Sequence, residues 1–167
     1  MDTNQVRKLN NDSLRILFIN QLNILQNAKA FLSWSLPEII EHASFLNLKL
    51  ALKEDLEDTN KQMVHIGLIM QMLNERPSSK GALAMNSIIE EAHKAIKHDQ
   101  ERAFESDMSI IFYMQIIEHC QIGACRILKL ISSKSGYEPY TQIIQEVFDE
   151  HKDNARLFKL IAQEYVN

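Results

Sequence analysis

Glu118 and Gln121 stand one helical turn apart in a stretch, Ile110 to Ile131, that is otherwise almost entirely apolar. A carboxylate and an amide at that spacing share a helix face, and they are joined in sequence by His119, whose direction differs from that of Glu118 by about 100°. Two further acidic groups stand out: the run Glu54, Asp55, Glu57, Asp58, and the set Glu146, Glu150 with His151 beside it. Carboxylates and imidazoles projecting inward from several helices are what a two-metal redox centre requires. The plainer reading of a Glu-His-Gln cluster on an apolar helix is a satisfied polar network. His119 reads as a packed or interface histidine, and His65, His93 and His98 as surface or structural residues. No nucleophile elbow, phosphate loop, dinucleotide fingerprint or zinc-protease motif is present, so any enzymatic reading rests on metal chemistry alone.

Helices must position these groups. Four Gly and three Pro in 167 residues leave little turn chemistry for strands, while Leu, Ile, Met, Glu, Gln, Lys and Ala favour long helices. Asn11, Asp12 and Ser13 offer cap oxygens, after which Leu14, Leu17, Phe18, Leu22, Leu25, Ala28 and Leu32 recur at three- and four-residue spacing. Pro37 kinks or stops that helix and leaves a short segment to Ala43. A second long helix is expected from Leu46 to Glu75, striped by Leu52, Leu56, Thr59, Met63, Ile66, Met70 and Leu73. The loop Arg76 to Gly81 precedes a shorter helix from Ala82 to Ile96. After a polar connection, Lys97 to Arg102, Ser106 or Asp107 is expected to cap a helix reaching Ser132, apolar around almost its whole circumference. Ser133 to Tyr137 end it, and Pro139 opens a last helix striped by Ile143, Ile144, Val147, Phe148, Ala155, Phe158, Ile161 and Ala162. Four long helices, with short connections and one long crossing connection, make a ferritin-like four-helix bundle with additional short helices. Residues 1–11 read as a polar arm and 12–167 as a single helical domain.

The balance of 18 basic against 22 acidic side chains gives −4, so no global field recruits nucleic acid or anionic lipid. No apolar run approaches the roughly 20 residues of a membrane span, and the start is polar where a signal peptide is apolar. A cytoplasmic location is expected. Cys120 and Cys125, five positions apart, point to different azimuths and read as reduced core residues.

Leu56-Glu57-Asp58-Thr59 with Gln62, Ala84-Met85 before Ile88-Ile89-Glu90-Glu91-Ala92, Glu118-His119 with Ile122, Gly136-Tyr137, and Glu146 with Glu150 and Lys152 appear in the order seen in one family. Over residues 14 to 162 the chain resembles the YciF-type ferritin-like stress proteins. That resemblance implies a bundle, usually dimeric, whose interior carboxylates resemble a di-metal site. Several family positions are changed. Lys29 stands where the family has a helix-one glutamate, Gln21 where an acid is common, and Asp55 at a usual histidine position; Asp58 keeps the acid of the second helix. Asn86 replaces a glutamate, Glu118 is retained, and Gln121 stands where a second glutamate is expected. His151 replaces a glutamate and Ala155 an aspartate. The residual metal positions are thus Asp58, Glu118, Gln121 and His151.

A lysine beside a dication is repelled, whereas one beside two orphaned carboxylates is attracted, and a buried charge needs a partner. Lys29 is therefore expected to replace the metal charge, bridging Asp58 and Glu118. The favoured reading is a homodimeric, stress-related structural or partner-binding protein with no cofactor. The alternative is a divergent oxidoreductase holding iron or manganese. The apolar circumference of the fourth long helix favours a dimer interface in either case.

Overall fold

The structure is a computed structural model that describes residues 8–96, 100–136 and 138–167. Five α-helices and one 3-10 turn account for nearly all of them: α1 (Asn11–His42), α2 (Leu46–Met72), α3 (Leu83–Ala95), η1 (Gln100–Arg102), α4 (Ala103–Ser135) and α5 (Glu138–Val166). No strand occurs among the described residues. Residues 1–7 of the expected polar arm, residues 97–99 with His98, and Tyr137 lie outside the described residues.

Asn10 caps α1, its Oδ1 accepting the backbone N–H of Ser13 at 2.8 Å, one residue earlier than the cap cluster suggests. Pro37 does not end α1, which continues to His42. An interior proline costs about 3 kcal/mol, but Leu36 and Ile39 on either side of it are buried completely or nearly so, and two such burials offset that cost. The short segment expected after Pro37 is the last turn of α1. α4 starts at Ala103, so Asp107 is not its cap. Its carboxylate instead receives the N–H and hydroxyl of Ser44, the N–H of Phe45 and the hydroxyl of Tyr165 at 2.7–3.2 Å. That knot fastens the start of α4 to the start of α2, so the two helices run parallel.

At the opposite end, Arg15 near the start of α1 donates to the Leu73 carbonyl and to Glu75. The bundle is therefore up-down-down-up, with α3 carrying the chain back along its side. The turn into α3 needs glycine at position 81: φ is +95°, and a Cβ there would lie 2.7 Å from Ile24 Cγ1. Asn23 and Asn27 hold the same loop through the Ser78 N–H and the Ser78 and Lys80 carbonyls.

Two apolar clusters fill the bundle. One gathers Leu32, Leu36 and Ile39 with Leu48, Leu52, Ile110, Met114, Phe158 and Ile161; the other gathers Phe18, Leu22 and Leu25 with Ile66, Ile69, Leu128 and Val147. Between them, near mid-height, lies a layer of polar side chains. Cys125 is buried as expected, but Cys120 is exposed, because α4 turns part of its apolar circumference outward. Phe112 is 59% exposed, Ile127 49% and Leu130 59%. None of the described helices is long and apolar enough to cross a membrane.

Candidate functional site

The four long helices each contribute to the mid-height layer. Lys29 comes from α1, Asp55, Thr59 and Gln62 from α2, Glu118 and Gln121 from α4, and His151 and Asn154 from α5; all are buried. On α2 the buried positions run Leu48, Leu52, Asp55, Thr59, Gln62, Ile66 and Ile69, a near-heptad seam in which two of the most polar residues point inward. The expected stripe shares Leu52, Thr59 and Ile66 with that seam but chooses Leu56 and Met63, which are its half-buried neighbours. Asp58 lies outside it, three positions from Asp55 and so turned about 60° away. Its side chain is 17% exposed and pairs with Lys61 at 3.3 Å.

Lys29 occupies the centre of the layer, as expected, but with different partners. Its ammonium donates to Gln62 Oε1 at 2.5 Å and Gln121 Oε1 at 2.6 Å, and reaches His151 Nε2 at 2.8 Å. Three donors thus meet three acceptors. The expected bridge between Asp58 and Glu118 does not form: Asp58 belongs to the rim, and Glu118 contacts the ammonium only through the imidazole, its Oε2 lying 2.7 Å from His151 Nδ1.

These contacts fix the protons. Nε2 of His151 accepts from an ammonium, so Nδ1 carries the hydrogen and donates to Glu118, and the ring is neutral. Burial, reinforced by the charge of Lys29, holds the histidine well below its ordinary range. Burial also pushes Lys29 down to about 8, against the pull of nearby acids including Glu118, Asp55 and Glu150, so the amine stays charged at neutral pH. Asp55 is pushed up to about 6 by burial, with Lys29 and Asn154 opposing. Glu118 is pushed much higher by burial and by the charge of Asp55.

Oδ2 of Asp55 and Oε1 of Glu118 are both sealed from water and have no other hydrogen-bond donor among the described residues. A single proton on Glu118, donated to Asp55, satisfies both. The remaining Asp55 oxygen accepts from Asn154 at 3.0 Å. At neutral pH the layer therefore holds one ammonium, one carboxylate and one shared proton, a neutral set in a dry interior. Gln62 extends the network outward by donating to the half-buried Glu150 at 2.6 Å.

Of the residual metal positions, Glu118, Gln121 and His151 converge on this layer and Asp58 does not. The arrangement does not fit a dication. The ring nitrogen and the two amide oxygens that face the centre are engaged by an ammonium, and the two buried acids share a proton. Among the described residues, no group of three or more His, Cys, Asp and Glu side chains is disposed to hold a metal ion. Thr59 lies on the expected stripe of α2, whereas Asp55, Gln62 and Asn154 are not expected as members of the layer; the seam spacing on α2 is the signal for the first two of these.

Comparison with known proteins agrees with this architecture. The chain superposes on the crystal structure of the E. coli stress protein YciF with a TM-score of 0.86 at 24% identity, covering 92% of this chain and 97% of that one. It superposes on YcfI from Rhodopseudomonas palustris, a protein proposed to be structural, with a TM-score of 0.81 at 21% identity, covering 95% and 98%. No curated protein sequence matches it. Residues 13–167 match the domain of unknown function DUF892, and with that match the chain belongs to the DUF892 family and carries the ferritin-like helical fold of YciF.

Proposed function

We propose that this protein is a homodimeric, stress-related bundle with a structural or partner-binding role, and that Lys29 has taken over the charge of a di-metal site. The observation that carries this reading is the ammonium at the centre of the layer, with each of its hydrogens directed at a buried acceptor. A dication in the same place would sit beside a fixed positive charge and would have to strip a proton from the Asp55–Glu118 pair. Redox chemistry has no role in this reading. Elemental analysis of protein purified without chelator is the test: iron, manganese and zinc are expected far below one equivalent, and near-stoichiometric metal overturns the proposal.

The dimer reading rests on α4. Its outward stripe is Phe112, Ile116, Cys120, Gly123, Ile127 and Leu130, and an added Cβ at Gly123 would meet nothing within 4 Å. The spacing is self-complementary. An antiparallel second copy sets Phe112 opposite Leu130, Ile116 opposite Ile127, and Cys120 opposite Gly123, as a two-fold interface requires. Light scattering should give twice the chain mass, and Ile127→Lys should yield monomer. A wild-type monomer at working concentration refutes the dimer.

A further inference from the structure

The antiparallel pair α4 and α5 encloses an outer groove of about 420 Å³, lined by Gln115, His119, Ile122 and Arg126 on one side and Lys152, Ala155, Arg156 and Lys159 on the other. Four of these residues are permanent cations and none is an acid, in a chain whose net charge is −4. The charges are concentrated further by Phe148, whose ring centre lies 5.9 Å from the Arg126 guanidinium, 4.6 Å from the Lys129 ammonium and 5.4 Å from the Lys152 ammonium. Cation–π attraction at exposed sites is weak and does not neutralise three like charges gathered on one ring. Lys152 reaches Asp149 only at 3.8 Å, and Arg126, Arg156 and Lys159 have no ion-pair partner among the described residues.

The geometry points to this groove as a binding site for a compact anion bearing several phosphoryl groups. Two arginine forks suit bidentate contact with phosphate oxygens, and the lysines add point charges. The cations of α5 run over seven steps from Lys152 to Lys159, roughly 10 Å at 1.5 Å per residue, with Arg126 facing them from α4, the reach of a short phosphoryl chain. Acids bound it. Beyond Lys159 the same helices carry Glu105 and Glu164, and on the other side of Lys152 α5 carries Asp149 and Glu146. A long nucleic acid would run onto those carboxylates, whereas a compact polyanion is held between them. The site lies on the α5 side of the outward stripe of α4 and makes no use of the buried layer.

Inorganic tripolyphosphate is the probe, titrated calorimetrically into the intact protein at low salt. One equivalent per chain is expected to bind, more tightly than orthophosphate, with affinity weakening as salt is raised. Arg156→Glu with Lys159→Glu should lower the affinity by at least about tenfold for each cation removed, with helicity and melting unchanged because both side chains are exposed. Arg126→Ala with Lys152→Ala provides a second, independent pair and should act in the same direction. Absence of tripolyphosphate binding, or affinity unchanged from wild type in both variant pairs, overturns the site. A single-stranded oligonucleotide that binds more tightly than tripolyphosphate, with the same variants abolishing it, overturns the compact-anion assignment.

Discussion

Two places in the bundle bury carboxylates completely, and they keep them in different ways. Asp107, in the knot joining the starts of α2 and α4, is surrounded by donors: two backbone N–H groups and two hydroxyls converge on its oxygens. Glu118 and Asp55, in the mid-height layer, have too few donors, and their shortfall is met by one proton and by the charge of Lys29. The knot uses an anion as a hub that neutral groups can satisfy. The layer needs a cation, and with it a defined protonation state, to exist at all.

Substitution separates these two designs, and the largest effect should come from Lys29. Lys29→Met leaves two amide oxygens and a ring nitrogen without a donor, and Asp55 without a counter-charge. A loss of about 3–5 kcal/mol is expected in urea unfolding, the scale for a buried charge stripped of its partner. A loss under about 1 kcal/mol would mean that the ammonium does not hold the layer together. Asp107→Asn comes next, since the amide turns one accepting oxygen into a donor aimed at other donors. About 1–3 kcal/mol should be lost, and the melt of the connection around Ser44 followed by hydrogen exchange should show it first.

The third expectation concerns pH. Asp55 is raised from 3.8 to about 6 in the folded chain, so the folded state holds more protons than the unfolded one across that window. Its contribution to stability is complete below the lower value and is lost as pH rises through the upper one. Asp55→Asn should therefore flatten part of the stability profile in that range, with a difference from wild type of up to about 3 kcal/mol. Unchanged slopes would show that Asp55 titrates normally.

Glu118→Gln should have the smallest effect. Glutamine keeps an oxygen for the His151 Nδ1–H and a donor for Asp55, which is what a protonated glutamate already supplies. A cost below about 1 kcal/mol is expected at neutral pH, against the larger cost of the same acid-to-amide change at Asp107. Equal costs at the two sites would erase the distinction between them.

Much of this was legible in the residues. Leucine and isoleucine spacing located the four long helices, and the shortage of glycine and proline excluded sheets. The conflict between Lys29 and retained acids pointed to an interior ammonium. What the spacing obscured was polarity inside the seam: apart from Thr59, selecting apolar positions on α2 drew the stripe toward Leu56 and Met63 and left Asp55 and Gln62 outside it. Lys29 could not be assigned its partners either, because three helices must be docked before an amide from α2, an amide from α4 and an imidazole from α5 meet around one amine. Pro37 and Asp107 misled for a related reason. Local rules for breaking or capping a helix were outweighed by burial around the proline, and by a contact 63 residues away in sequence for the aspartate.

The mid-height position of Lys29 has a mechanical consequence. Leucines and isoleucines above and below it are nearly interchangeable, so a greasy bundle could accommodate α1 shifted along its axis by a turn with little penalty. Such a slip moves the amine by about 5.4 Å, out of reach of its three acceptors and into hydrocarbon. The lysine thus acts as a peg that admits one alignment of the four rods.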